Sequence, residues 1–397
     1  MAEFSDPRPA GLDEFAEAMA FTDRVFRPGQ RGRRIVQSQY PHAYRQTASF
    51  ARRLLLLREA GADGQLVGCL GIHPMQLRLG EATVSAGGIG VVGADPQRRG
   101  EGIMSQLLVA ALKRMREAGH AISILGGDRQ RYGWFGWENG GIRRRYLLTR
   151  RMLGAPSKLE RQLSLTRFDP DHASSRRKIH RLSSEKAYGV EHSAADVAPL
   201  LDRVGRETWI VEDSDRFACI CLGGPNRQNR PYERVDAALG ERDLIVSGLR
   251  CLMARFRREQ LWAIGGPDPV DAAMFEPVSA SWVTEEDGMI RILDLPRLVK
   301  QLAPEIARLR RLTGTRPPDL QIRLSDRGQA ATLSGGSGSG SGKSRMCQMT
   351  SLQAVQLLFG ARPLLTTGLV ELLPNTVIGP WSAILPLPLH VPAIHHI

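Results

Sequence analysis

The sequence predicts a mixed α/β (α+β) fold in three modest domains, and three observations lead there. Strand-like and helix-like periodicities alternate: "ATVSAGGIGVVGA" (82–94) gives way at Gly102 to a 3.6-residue apolar repeat, which is followed by the buried run "AISILGG" (121–127). The chain has 397 residues, whereas single hydrophobic cores stop growing near ~250–300 residues. Its composition, 42% hydrophobic and 24% charged, is that of a folded globular chain rather than the charge-rich, apolar-poor signature of disorder.

In chain order, a helix is expected around Leu12 to Phe26. "RRLLLLREA" (52–60) and "QLVGCLGIHPMQLRLG" (65–80) read as strands joined through turn residues Gly61 to Gly64. Gly80 and Glu81 turn the chain into 82–94, where Val84, Ile89, Val91 and Val92 suit a strand and the glycines predict a bulge. Ile103, Leu107, Ala111 and Met115 then recur on one helical face, with Gly119 at the C-terminal cap position. After the strand at 121–127 come a short helix or turn, "RQRYGWFGW" (129–137), and a strand, "IRRRYLLT" (142–149). A second domain, 156–285 after a first of 1–155, holds strand candidates "TWIV" and "FACICL" and a helix carrying Leu244, Ile245, Leu249, Leu252, Met253 and Phe256. The third, 286–397, opens near "MIRILDL" (289–295). It continues through a Pro296-started helix with Val299, Leu302, Ile306 and Leu309, strand "LQIRL", and helix "SLQAVQLLFG".

Three glycine-rich stretches invite a nucleotide reading. Gly88, Gly90 and Gly93 spell G-x-G-x-x-G, but they fall inside a strand rather than at a strand-to-helix turn, and Lys113, Arg114 and Met115 stand where a ribose-binding acid belongs. "SGGSGSGSGKS" (334–344) fails as a P-loop because Ser337 stands where glycine is required, so its composition predicts a flexible hairpin loop. The third stretch fits its context. Gln97, Gly100 and Gly102 spell Q-x-x-G-x-G between a strand and the start of a strong helix, where free amides and the positive end of the helix dipole suit a pyrophosphate. Arg98 and Arg99 add positive charge there. The bland alternative is an ordinary glycine-rich turn.

Formal charge is +13, and most of the excess lies within residues 1–150. That predicts attraction to anions. No nucleic-acid recognition motif accompanies it, so a small anionic ligand is the simpler reading. Five cysteines without a C-x-x-C pair argue against a zinc or disulfide framework and for a reducing cytoplasm. The N-terminus lacks the apolar run of a signal peptide, and prolines at 374, 380, 386, 388 and 392 break the apolar tail from Leu372 to Ile397, so no membrane helix is expected.

"VVGADPQRRGEGIMSQLL" resembles the central motif, R/Q-x-x-G-x-G/A after a bulged strand, of the GNAT acyl-CoA-dependent N-acetyltransferases. A second GNAT motif, Tyr-x-x-x-Gly-aromatic, is matched by Tyr132, Gly136 and Trp137. "YGWFGW" and the order of domains resemble the enhanced-intracellular-survival (Eis-like) branch, which joins a GNAT domain, a degenerate GNAT-like domain and a sterol-carrier-like C-terminal domain. Gly102 stands where that branch often carries a bulkier residue.

The resemblance implies acetyl-CoA as acyl donor, no metal, a primary-amine acceptor and a homo-oligomer, hexamers being known in the branch. It places the cofactor on Ile89, Gly90, Val91 and Val92 of the bulged strand, on Gln97, Arg98, Arg99, Gly100, Glu101, Gly102 and Ile103, and beside Gly127 and Asp128. Tyr132 becomes the candidate acid for the departing thiolate and the C-terminal carboxylate of Ile397 the candidate base. Independently, an apolar tail without charged side chains can be buried as an extended segment whose terminal carboxylate is its only full negative charge. His395 and His396 remain alternatives for the base. Tyr132 also reads as a packed aromatic, Asp128 as a helix cap, and Arg143, Arg144 and Arg145 as a solvated strand face. A non-catalytic acyl-CoA- or lipid-binding protein is the rival reading of the whole chain.

Overall fold

The computed structural model describes residues 4–29, 35–61, 64–224, 233–336, 345–373 and 375–397. They divide into two compact units, one formed by residues 1–141, 288–387 and Ile397, the other by 142–287 and 388–396. Most of the predicted Gly/Ser hairpin loop, 337–344, lies outside the described residues. Among the described residues no helix is long and apolar enough to cross a membrane.

In the first unit the main sheet runs in the order Arg8–Pro9, Leu54–Arg58, Leu66–Leu79, Ala82–Ala94, Ile122–Leu125, Gly288–Ile292, Glu138–Gly140. Neighbours are antiparallel except Ala82–Ala94 and Ile122–Leu125, which are parallel and joined by helix Ile103–Glu117. Both faces of the sheet are covered, as strand "LLLL" shows residue by residue. Leu54 and Leu56 join Phe15, Met19, Phe21 and Tyr44 on one face, while Leu55 and Leu57 join Leu107, Leu108, Ala111 and Met115 on the other. The period of two explains why all four leucines are at most 2% exposed. The helix predicted from Ile103, Leu107, Ala111 and Met115 forms with those four residues buried, and Gly119 ends it at φ +75°.

A smaller sheet in the same unit places Leu320–Leu324 between antiparallel Ala330–Leu333 and parallel Arg345–Met349. Helices Leu295–Thr313 and Ser351–Phe359 belong to this part, the second closed by a reciprocal Thr350–Gln353 capping box. The tail, read as extended, is buried but turns helical over Asn375–Trp381. Val377, Ile378 and Trp381 are buried and the Trp381 indole donates to the Pro318 carbonyl at 2.9 Å, so the helical turn removes apolar surface from water with its indole N–H satisfied.

The second unit repeats the strand order. Its sheet runs Ser164–Arg167, Arg206–Asp213, Arg216–Gly223, Arg234–Gly240, Gln260–Gly265, Arg143–Thr149, Ser279–Glu285. The fourth and fifth strands are again parallel and joined by a helix, Arg242–Arg255, whose Leu244, Ile245, Leu249, Leu252 and Met253 enter the core. Here the strand ends at Gly240 and the helix begins at Arg242, whereas the first unit spends residues 95–102 on the same connection. Arg143, Arg144 and Arg145 pair with Glu285 and Glu276, which accounts for them as strand-face ion pairs.

Candidate functional site

Strand Ala82–Ala94 is paired on one side with Leu66–Leu79, but on the other it meets Ile122–Leu125 only from Ala86 to Ile89. Beyond Ile89 the two parallel strands part, and Gly90 to Ala94 present an edge with no strand partner among the described residues. The register on the paired side slips between Cys69 and Gly71, and opposite that slip Val91 is left-handed at φ 46°. A β-branched residue pays for that conformation in strain, so the bulge is imposed by its surroundings.

A cavity of about 380 Å³ opens in this fork. Ile89, Gly90, Val91 and Val92 line it from one strand, and Leu125, Gly126, Gly127 and Asp128 from the end of the other. Arg131 and Tyr132 come from the short helix Arg129–Tyr132, Phe26, Arg27, Val36 and Tyr40 from the N-terminal helices and the residues after them, and Ile397 closes the set. Of the residues singled out from the sequence, Ile89, Gly90, Val91, Val92, Gly127, Asp128, Tyr132 and Ile397 therefore meet at one cavity. Phe26, Arg27, Val36, Tyr40, Gly126 and Arg131 join them without having been marked by any motif.

Tyr132 is 8% exposed and packs edge-on to Trp137 at 6.3 Å between ring centroids. Burial pushes its phenol above the ordinary value of 10.0, with Arg131 pulling the other way, so the hydroxyl is protonated at neutral pH. A Cβ at Gly127 would lie 2.4 Å from the Tyr132 ring, which makes glycine the residue that lets this ring sit against the strand end. Asp128 both lines the cavity and caps the short helix, its carboxylate accepting from the Arg131 amide at 3.0 Å.

Beneath the edge lies a pair the motifs did not reveal. His73 Nε2 and Tyr44 Oη are 3.2 Å apart and both residues are buried. Burial, with Arg53 nearby, drives the His73 imidazole down to about 3, so it is neutral. Side chains fill the space that the strand glycines leave: a Cβ at Gly90 would come 2.7 Å from Tyr44 Oη, and one at Gly88 would come 2.8 Å from Ile397 Cδ1. Gly88, Gly90 and Gly93 thus lie within the strand, and the first two make room for Ile397 and the Tyr44–His73 pair. His395 and His396 do not line the cavity; they bond to His192 and to the Val391 carbonyl respectively.

Loop 95–102 is a separate cluster and contributes no cavity-lining residue. Asp95 accepts from the Gln97 amide at 2.9 Å and starts a 3-10 turn, Pro96–Arg98. Gly100 and Gly102 are left-handed, at φ +88° and +79°, with nothing within 4 Å of the place a Cβ would take. Gly102 is the N-cap of helix Ile103–Glu117 and gives it no side-chain cap, so the first-turn amides are open to a ligand. Ile103 is buried under the loop, whereas Gln97, Arg99 and Glu101 are exposed. Arg98 bonds Glu101 at 2.7 Å and also bonds Glu59, so its guanidinium braces the loop. Among the described residues no cluster of His, Cys, Asp and Glu is arranged to hold a metal ion.

Residues 6–140 match the acetyltransferase (GNAT) domain family. Among curated protein sequences none matches this chain. Solved structures resemble it along its full length. A GCN5-related N-acetyltransferase from Anabaena variabilis superposes with TM-score 0.70 at 14% identity, covering 100% of both chains. A GCN5-related N-acetyltransferase from Kribbella flavida gives 0.66 at 17%, covering 100% of this chain and 99% of that one. Eis1 from Mycobacterium abscessus gives 0.63 at 14%, covering 99% and 100%. At such identities the likeness speaks for the fold alone. The chain therefore carries, over residues 6–140, an acetyltransferase domain of the GNAT family.

Proposed function

We propose that the protein is an acetyl-CoA-dependent N-acetyltransferase that passes an acetyl group to a primary amine by direct attack. The observation that carries this reading is the fork: one cavity gathers an open strand edge, a protonated buried tyrosine and the last residue of the chain. The residues present suit the cofactor. Gly90 to Val92 offer main-chain groups beyond the end of the parallel pairing, and Gly100, Gly102 and the first-turn amides offer a cradle with no side chain in the way. When bound, acetyl-CoA supplies an acyl group activated as a thioester.

The chain's own groups then have the following parts. Tyr132 Oη holds a proton for the departing thiolate, whose conjugate acid has a pKa near ~8.5. The α-carboxylate of Ile397 accepts the proton that an amine of pKa near ~10.4 must lose before it can attack. Phe26, Val36 and Tyr40 give the acceptor an apolar wall. The reading extends to the Eis-like branch, for which the full-length likeness to Eis1 is the support; on that proposal 1–155 is catalytic, 156–285 a degenerate GNAT-like domain and 286–397 sterol-carrier-like, and the protein a cytoplasmic homo-oligomer.

Free CoA should be released when the protein meets acetyl-CoA and a panel of polyamines, aminoglycosides and lysine peptides. Tyr132→Phe and removal of Ile397 are each expected to lower kcat by about 10²–10⁴-fold, the usual range for a lost proton-transfer group. If the purified protein neither binds acetyl-CoA nor releases CoA with any amine, the reading fails and an acyl-CoA- or lipid-binding protein takes its place.

A further inference from the structure

Away from the cavity, the first unit buries a cation whose nearby negative charge, Asp326, is shared with a second guanidinium. Arg291, on strand Gly288–Ile292, is 6% exposed, and its Nε finds no hydrogen-bond partner. Among the described residues no carboxylate pairs with it. Its guanidinium lies 5.1 Å from the centroid of the Trp137 ring, whose own Nε1 is buried without an acceptor. Arg327 converges on the same spot: a Cβ at Gly136 would lie 2.5 Å from Arg327 Nη2 and 3.4 Å from Arg291 Nη1. Asp326 pairs with Arg327 Nε at 3.6 Å while also accepting from the Ser351 amide at 2.8 Å and the Ser351 hydroxyl at 2.5 Å, so one already engaged carboxylate faces two guanidinium groups. Burial, together with the like charges of Arg327 and Arg116 and only partly offset by Asp326, pushes the Arg291 guanidinium down to about 9.

Two buried guanidinium groups sharing one carboxylate leave an excess positive charge that is costly unless something neutralises it, and their planar forks of donors match the oxygens of a carboxylate or phosphate. We propose that Arg291 and Arg327, with Arg116 contributing charge, form a binding site for a small oxyanion, either a carboxylate or a phosphate. It is separate from the glycine loop. Arg116 lies in the last turn of helix Ile103–Glu117 and Gly102 caps the first, a separation of about 20 Å at 1.5 Å per residue. The oxyanion would stand one aromatic ring away from Tyr132, since Trp137 touches both.

Thermal unfolding of the full chain in a buffer without oxyanions, titrated with inorganic phosphate or with citrate against KCl of equal ionic strength, tests this. The wild-type midpoint should rise saturably with at least one of the two anions, because a ligand that binds only the folded state stabilises it; which anion does so identifies the ligand class. Arg327→Ala should weaken the apparent affinity tenfold or more, and Arg291→Met should abolish the response while raising the midpoint in anion-free buffer. Should Arg291→Met fail to fold, Arg327→Ala decides alone. No saturable response in the wild type, or an equal response in the variants, overturns the proposal. So does an oligomer that Arg327→Ala dissociates without any effect of added anion, because the partner would then be a carboxylate of a second copy.

Discussion

Gly100 stands at φ +88° with no atom near its missing Cβ, so a substitution there tests the backbone and little else. Gly100→Val should cost about 1–2 kcal/mol of conformational strain and leave the fold intact. Acetyl-CoA affinity, measured by calorimetry, is expected to fall tenfold or more; unchanged affinity would detach the loop from the cofactor. His73 offers a pH test whose sign is fixed. Its folded value is depressed to about 3, so the stability it confers is complete above the unfolded value of ~6.5 and drains away as pH falls from there towards 3. Between about pH 6 and 5 the wild type should lose on the order of 1 kcal/mol more than His73→Gln in denaturant titrations. Equal slopes would mean that His73 is protonated in the folded protein. The sequence marked Gly100 and Gly102 by their place between a strand and a strong helix, and the structure finds both left-handed there, a backbone that favours glycine. The Tyr44–His73 contact was not, because a histidine inside "CLGIHPMQL" says only that it is buried and leaves its partner, 29 positions away, unnamed.

Among the elements, helix Leu295–Thr313 shows how a periodic stripe can be read one step off. The sequence suggested Val299, Leu302, Ile306 and Leu309, yet the fully buried set is Leu295, Leu298, Leu302, Glu305 and Ile306. The rotation brings a carboxylate inward, which apolar periodicity cannot anticipate. Glu305 is 0% exposed, accepts from the Glu81 amide at 2.9 Å and holds Arg308 in a bidentate pair at 2.7 and 2.6 Å. Any residue but glycine at 80 would collide with this carboxylate, a Cβ there falling 1.9 Å from Oε2. Glu305→Ala strands the Glu81 amide and should destabilise the protein by about 1–3 kcal/mol, read as a lower urea midpoint at unchanged slope. An effect within a few tenths of a kcal/mol would show that water replaces the carboxylate at no cost. The helix Ile103–Glu117 was legible because its stripe carries no such polar member, and the second unit's helix Arg242–Arg255 for the same reason. The second unit lacks the room for a phosphate loop, with one residue, Glu241, between its strand and its helix.

Over the whole molecule, two units share one strand order, and in each sheet the sixth strand is out of chain order with its neighbours. Gly288–Ile292 sits between Ile122–Leu125 and Glu138–Gly140 in the first sheet, while Arg143–Thr149 takes the equivalent place in the second. Local pattern marked Arg143–Thr149 as a strand and "MIRILDL" as the opening of a further domain but gave the destination of neither, because pairing across so long a separation leaves no periodic trace. A fragment ending at Gly141 would lack the buried Met289, Ile290 and Ile292 and leave two strand edges unpaired. Such a fragment should bind hydrophobic dyes, melt without a cooperative transition and aggregate, whereas the full chain should not; a sharp melt and monomeric behaviour would refute the dependence. The same feature governs the order of events on the ribosome. Roughly 150 residues separate the first sheet's gap from the segment that fills it, and at ~5–20 residues per second the nascent sheet waits on the order of ten seconds or more for its missing member. During that interval two strand edges of the nascent sheet stay open, the condition in which a chaperone would be expected to engage it.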